Sequence, residues 1–489
     1  MKLYPFQKEL VDRFVDTPSV LVGDDMGLGK TFEALALDLR RRTTQLPGRQ
    51  LEYPTLIVAP LSVLGVWEWH IKQLWPAARV AVINPKMRGK FIRELDSQYH
   101  YYIIHWEGVR LVEELQKRSW WHIVADEAHR MKNRKAQQTW ALKKLHTNYK
   151  TALSGTPADN APQDLWSLLN WLYPKRWTSY WSYERKHVKY QWHQAASQAN
   201  GFKCPVPNCE DFHKSSFKKM VGVDYVDELH AEIAPYYMRR LKAEVISELP
   251  EKYYTQIEVD LAPKQRRIYD EMRHDMLAWI GEHEHEPIAA PIVVAQLVRL
   301  KQFALAYAEL EEVQVRNRST GEVQAKTRVK LSEPSSKLDV VLDQLQDNPT
   351  RQFVVFSESK QAINLLAARL TRENISHVVL TGDTAQADRD NVVAKFQAGR
   401  ARAFLGTIHA GGEGITLTSA DTVIFLDRTW NPSRNRQAED RLHRIGQRNA
   451  VQVIDIVARD TVDGGRLQQL DLKWSWLKEL LGDKVKADA

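Results

Sequence analysis

The sequence predicts an α/β protein built from two mostly parallel sheets with helical insertions. Three observations carry this. Short, continuous apolar runs recur along the chain, amphipathic segments separate them, and the pattern occurs twice with a differently composed stretch between. Strands buried on both faces read as unbroken apolar runs, and strand–helix alternation marks parallel sheets covered by their crossover helices.

In the first part, SVLVG (19–23), TLIVAP (55–60), YYIIH (101–105), WWHIVAD (120–126) and YKTALSG (149–155) read as strands, with helices such as FEALALDLRRR (32–42) and VWEWHIKQLW (66–75) between them. From about 165 to 250 aromatic residues and lysines crowd in, ending in PYYMRRLKAEV, which reads as helical. Helices follow at 263–282 and 294–310, and VQVRNRSTGEVQAKTRV (313–329) alternates around STG as a surface hairpin. Alternation returns with RQFVVFSES (351–359), ISHVVLTGD (375–383), ARAFLGTI (401–408), DTVIFLDR (421–428) and VQVIDIVAR (451–459). The expected division is a first domain over 1–250, including the aromatic and basic insertion, a helical and hairpin region over 251–335, and a second domain over 336–489 with C-terminal helices.

A chain of 489 residues with 43% hydrophobic and 27% charged residues can bury sizeable cores. The formal charge of +8 permits an anionic partner without identifying one. Two cysteines signal no disulfide framework, so a reducing compartment is expected: cytoplasm in a prokaryotic or virus-infected cell, nucleus in a eukaryote. The first residues lack a signal-peptide core, and no apolar stretch approaches the roughly 18 residues that span a bilayer, so no membrane partner is expected. The 16 tryptophans are expected to be mainly packing residues.

The chemistry begins at GDDMGLGKT (23–31), where a strand breaks into a glycine-containing turn and then a helix. Gly27 and Gly29 let backbone N–H groups converge on phosphate oxygens, and the helix start adds its positive end. Lys30 is placed to meet the β- and γ-phosphates and Thr31 to offer its hydroxyl to Mg²⁺, which makes a magnesium-bound nucleoside triphosphate the expected cofactor. IVADEAH (123–129) ends a buried strand in two acids: Asp126 to hold Mg²⁺ through water, Glu127 to orient or deprotonate the attacking water. His129 is a candidate link to neighbouring loops, or a plain structural contact.

Taken with YPFQ (4–7), APLSVL (59–64) with Trp67, LSGTP (153–157), VVFSES (354–359), TGDT (381–384), GGEGITLTSA (411–420) and QAEDRLHRIGQ (437–447), the array resembles the SNF2-like branch of the superfamily 2 helicases and translocases. The resemblance covers essentially the whole chain and implies two RecA-like domains. It implies that Gln7 senses adenine, that Gly155, Thr156 and Pro157 couple the catalytic pair to motion, and that Gly414, Gln437, Arg441 and Arg444 serve the nucleotide from the second domain. In the family the two arginines reach the γ-phosphate across a cleft. Their spacing of three fits one helical face, and guanidinium groups offer fixed donors to a phosphoryl group. Asp25 stands where the family more often has glutamate.

The resemblance further implies tracking on double-stranded DNA without separating its strands. Ser62 and Trp67 in the first domain, and Ser357, Thr381, Gly382, Thr416 and Thr418 in the second, are the candidate backbone contacts, since hydroxyls and amides position a duplex without reading sequence. The basic segments KRW (175–177), ERKHVK (184–189) and HKSSFKK (213–219) could wall such a duplex. Expected partners are double-stranded or branched DNA and DNA-bound proteins, with the chain itself a monomer, acting in repair, replication or recombination. The alternatives are a helicase that unwinds branched or forked DNA, and a non-catalytic DNA-binding scaffold. Cys204, Cys209 and His213, with His193 as a borrowed ligand, have a spacing that zinc allows, though two free cysteines in a proline-constrained loop is the plainer reading.

Overall fold

In a computed structural model, the structure describes residues 3–45, 53–83, 99–193, 216–245, 249–282, 289–316, 323–411, 414–444 and 446–483. The chain divides into two compact units, Met1–Glu248 with Lys473–Ala489, and Leu249–Leu472. The expected second domain ran to residue 489. The structure instead groups the last residues with the first unit, and it places the 251–335 region within the second.

Among the described residues the sheet of the first unit has seven strands: β1 (Ser19–Val22), β2 (Thr55–Ala59), β3 (Val80–Ile83), β4 (Tyr101–His105), β5 (Ser119–Ala125), β6 (His146–Leu153) and β9 (Tyr237–Met238). They lie in the order β3-β4-β2-β5-β6-β1-β9, and every pair is parallel. Alternate residues of one strand serve different cores: Leu21 packs with Ile104, Trp106 and Leu168, whereas Val20 and Val22 pack with Leu10, Phe14 and Trp67. That two-sided burial is why the sequence runs are continuously apolar rather than alternating.

PYYMRRLKAEV is not the helix its composition suggests. Tyr237 and Met238 pair with Leu21 and Val22, and only Lys242–Val245 is helical. Pairing along an open sheet edge outweighs a weak local helix preference. In the aromatic insertion, β7 (Val188–His193) and β8 (Phe217–Val223) form an antiparallel pair.

Among the described residues the main sheet of the second unit has six parallel strands in the order β10-β17-β16-β13-β15-β14. Here β13 is Phe353–Ser357, β14 His377–Leu380, β15 Ala403–Thr407, β16 Thr422–Phe425 and β17 Val451–Ala458. β10 (Lys252–Val259), whose mixed polar sequence gave no strand signal, pairs with β17 over its whole length. Phe353 and Val355 enter one core, Val354 and Phe356 the other. The hairpin is present as β11 (Tyr307–Arg316) and β12 (Val323–Ser332), starting earlier than its alternation indicated because the preceding helix ends at Leu305. This is the two-sheet RecA-like arrangement. Among the described residues no helix is long and apolar enough to cross a membrane.

Candidate functional site

The glycine turn after β1 needs backbone that L side chains avoid: Gly27 has φ 87° and Gly29 φ 83°. A Cβ on Gly29 would also lie 2.6 Å from Gln7 Nε2, so the turn is closed against the first helix. Gln7 is buried, donates from Nε2 to the Leu28 carbonyl at 2.9 Å and accepts the Tyr4 N–H at 3.1 Å. Lys30 opens the helix Lys30–Gln45, and its ammonium donates to the carbonyls of Asp24 (2.7 Å) and Asp25 (3.0 Å). The cation is thereby folded over the turn it is expected to serve. Thr31 follows in the first turn of that helix, half-buried.

Asp126 follows β5. Its carboxylate is bonded on both oxygens: Oδ2 accepts from the indole Nε1 of Trp67 at 2.8 Å, and Oδ1 accepts the Glu127 N–H at 2.9 Å. The Trp106 indole donates to the Asp126 carbonyl at 2.9 Å. Glu127 sits at φ 48°, in the left-handed region that non-glycine residues seldom adopt. Burial, followed by the neighbouring charge of Glu127, pushes the Asp126 carboxyl above its ordinary range. Two adjacent, half-buried acids whose ionised forms repel suit a divalent cation, so Asp126 and Thr31 fit Mg²⁺, and the turn with Lys30 fits the phosphates of ATP.

Trp67 was expected at a DNA backbone. It is instead 1% exposed, with its ring in the core and its only polar atom on Asp126, so it positions the metal-site acid and offers no face to a duplex. Ser62 lies in the half-buried turn before Trp67. His129 makes the link its position suggested: Nδ1 lies 3.2 Å from Ser154 Oγ, which also accepts the Thr156 N–H at 3.2 Å. Gly155 packs so tightly that a Cβ would lie 2.7 Å from Met26 Cγ. The segment containing Gly155, Thr156 and Pro157 thus touches the phosphate turn on one side and the DEAH segment on the other.

Sequence reasoning missed the base of this site. Arg240, two residues beyond β9, donates to Asp24 from its backbone N–H and from Nε, both at 3.0 Å, and to Glu33 from Nη2 at 2.6 Å. Burial, then the charge of Asp24, raises the Glu33 carboxyl well above the carboxylate range. Arg239 donates from Nη1 to the Gly23 carbonyl (2.6 Å) and the Gly155 carbonyl (3.0 Å), and from Nη2 to Asp483 at 2.8 Å. The adjacent arginines in MRRL were the available signal, hidden by the helical reading of that stretch.

In the second unit, Asn431 caps the helix Pro432–Glu439 by accepting the Arg434 N–H at 3.2 Å. The helix ends before Arg441, so Arg441 and Arg444 do not share a helical face as their spacing indicated; they lie in the turns that follow. They nevertheless converge. Both donate from Nη1 to the Ile415 carbonyl, at 3.3 and 3.1 Å, and Arg444 also reaches Thr416 Oγ1 at 3.0 Å. Arg441 Nε returns to the carbonyl of buried Gln437 at 3.1 Å, closing off the helix end. Beneath these turns lies an ion network: Lys252 to Asp440 (2.8 Å) and Glu439 (3.3 Å), and Glu439 to Arg428 (2.7 Å). Burial alone would raise Glu439, but Lys252 and then Arg428 outweigh it and bring the carboxyl to about 2.

Among the other second-unit candidates, Ser357 is fully buried and donates to Asp427 at 2.5 Å, so its hydroxyl serves the core end of β13 rather than a duplex. Thr381 is also buried, whereas Gly382 and Gly414 are exposed. Thr416 is taken up by Arg444, and Thr418 Oγ1 accepts from Gln397 at 3.3 Å. In the basic wall, Arg176 pairs with Glu232 at 2.9 Å and Lys186 with Glu228 at 2.7 Å. Cys204, Cys209 and His213 lie outside the described residues.

Two family models match the chain: the SNF2-related domain over residues 7–308, and the helicase conserved C-terminal domain over 336–446. The chain is 27% identical to the transcription regulatory protein SNF2 of Saccharomyces cerevisiae over 93% of its own length and 26% of that protein's. It is 29% identical to the ATP-dependent helicase brm of Drosophila melanogaster over 93% and 27%. It therefore spans about a quarter of the length of these relatives. Among solved structures, the Sulfolobus solfataricus SWI2/SNF2 ATPase core in complex with dsDNA matches at 26% identity and a TM-score of 0.42, covering 98% of this chain and 93% of that one. With the larger model alone matched over most of the chain, the protein belongs to the SNF2-related family, and its second unit carries the helicase conserved C-terminal domain.

Proposed function

We propose that the protein is an ATP-dependent translocase on double-stranded DNA, coupling Mg-ATP hydrolysis to movement that remodels DNA or DNA-bound proteins. The observation that carries this reading is the complete pair of half-sites within the family frame. The first unit presents Lys30, Asp126 and Glu127 on a closed glycine turn, and the second presents Arg441 and Arg444 gathered on one carbonyl. Phosphoryl transfer needs positioning and positive charge more than covalent participation, and these five side chains supply both. Lys30 and Thr31 hold the phosphates and metal, Glu127 handles the proton of the attacking water, and the arginines neutralise charge on the γ-phosphoryl group. Gly382 is the DNA candidate whose exposure leaves its backbone open to phosphate, exposed Gly414 remains a candidate on the nucleotide side, and the Ser62 hydroxyl is buried.

ATPase rates with closed circular duplex, single-stranded, forked and four-way-junction DNA test the substrate. Closed duplex without ends or gaps is expected to stimulate hydrolysis strongly, with Lys30→Ala inactive throughout. Stimulation restricted to forked or single-stranded DNA would favour an unwinding helicase.

A further inference from the structure

Beyond the nucleotide half-sites, the first unit carries an open pocket of about 410 Å³ lined by Arg134, Lys135, Trp140, Lys143, Lys144 and Trp166, with Asn170 at its wall. Its size falls within the roughly 300–1,000 Å³ of small-ligand sites. It is built on the helices Gln137–Lys143 and Asp164–Leu172 and on the turn that precedes the first of them. Among the described residues none of its four cations pairs with a carboxylate, unlike Arg176 and Lys186 of the basic insertion. Instead three of them lie against rings: Arg134 is 4.1 Å from the Tyr180 centroid and 5.4 Å from that of Trp181. Lys143 lies 5.2 Å from the Trp166 centroid, and Lys144 5.3 Å from that of Trp140. Lys143 also donates to Asn170 Oδ1 at 2.6 Å.

Several tryptophans are packing residues as expected, but Trp140 is 61% exposed, Trp181 59% and Trp192 58%, and of these three only Trp140 lines the pocket. Single exposed indoles are ordinary on protein surfaces, but Trp140 shares one pocket with four cations that no carboxylate neutralises among the described residues. We infer that this pocket binds single-stranded nucleic acid, with an unstacked base on Trp140 and adjoining phosphates on Lys135, Lys143 and Lys144. Aromatic platforms interleaved with cations are how single strands are held without sequence preference. A continuous duplex keeps its base faces stacked inside and presents only edges, so it cannot cover an indole. An acidic peptide would satisfy the cations but brings no planar partner for the ring. The site is distinct from the nucleotide half-sites and stands whether or not the motor tracks duplex DNA.

The test uses the full chain and a fluorescently labelled oligo-dT, in excess closed circular duplex so that a duplex-binding surface is occupied. An abasic oligonucleotide of equal length serves as a probe of equal charge. Trp140→Ala is expected to weaken oligo-dT binding at least about fivefold and leave abasic binding unchanged. Duplex-stimulated ATPase is expected to persist in this variant, and iodouracil-substituted oligonucleotide should photo-crosslink to the peptide containing Trp140. Equal affinity of the wild-type chain for oligo-dT and the abasic probe would overturn the inference. So would oligo-dT binding indifferent to Trp140→Ala, or displacement by poly-glutamate that is itself sensitive to that substitution.

Discussion

Trp67 Nε1 donates a 2.8 Å hydrogen bond to Asp126 Oδ2, joining the helix Leu64–Leu74 to the metal-site acid at the end of β5. The bond orients a carboxylate whose other oxygen is held by the Glu127 N–H. Hydrogen bonds to charged groups are worth about 1.5–3 kcal/mol. Trp67→Phe, which keeps an aromatic ring but removes the donor, is expected to lower kcat about tenfold or more and to raise the Mg²⁺ concentration needed for half-maximal ATPase. A Mg²⁺ titration of the variant checks this, with circular dichroism confirming that the fold persists.

Arg441 and Arg444 are expected to be separately indispensable. Alanine at either is expected to reduce DNA-stimulated ATPase by about a thousandfold, the scale of an arginine supplying charge to a transferring phosphoryl group. Lysine should not restore activity, because a compact ammonium cannot reproduce the guanidinium bonds to Ile415 and Thr416 or Gln437 while keeping a donor for phosphate. Steady-state hydrolysis at saturating duplex and ATP measures it.

The Arg239–Asp483 pair is nearly buried, and the same guanidinium binds the carbonyls of Gly23 and Gly155. Removing one partner of a buried pair costs about 3–5 kcal/mol, because the other charge is stranded. Asp483→Ala is therefore expected to destabilise the first unit and reduce ATP affinity by loosening the phosphate turn. Arg239→Met, which removes the charge and keeps volume, leaves Asp483 stranded and should be no better. Urea unfolding together with nucleotide binding reads both effects.

His122 supplies a pH test. Arg41 can only donate, so its approach to Nε2 at 3.4 Å makes Nε2 the acceptor and leaves the proton on Nδ1, which donates to Asp38 at 2.9 Å. Thr151 Oγ1 donates to Nε2 at 2.8 Å. Burial lowers His122 to about 4 from an ordinary value near 6.5, outweighing the hydrogen bond to Asp38 that favours the charged ring. The unfolded chain then takes up a proton that the folded chain refuses. Stability is expected to fall as pH drops from about 6.5 towards 4, by up to about 3 kcal/mol. His122→Gln should flatten that slope in urea midpoints measured between pH 7 and pH 4.5.

The strand runs, the glycine turn and the DEAH acids were legible because each obeys a local rule: two-sided burial, positive φ, acids at a strand end. Arg239 and Arg240 were not, because their partners Asp483, Asp24 and Glu33 are remote in sequence and only the short pairing of Tyr237–Met238 brings them together. Trp67 and Ser357 were assigned to DNA because a polar atom in a motif reads as available, whereas each has its bond committed inside the protein. Arg441 and Arg444 kept their pairing but not the expected helix, since the guanidinium of Arg441 itself caps the helix end at Gln437.

The central claim is movement along duplex DNA driven by hydrolysis, and displacement of a triplex-forming oligonucleotide from duplex DNA tests it most directly. The third strand is expected to be released with Mg-ATP and retained with a non-hydrolysable analogue or with Lys30→Ala. Release must occur without exposure of single strands in the underlying duplex. Robust duplex-stimulated hydrolysis with the third strand left in place would contradict the claim.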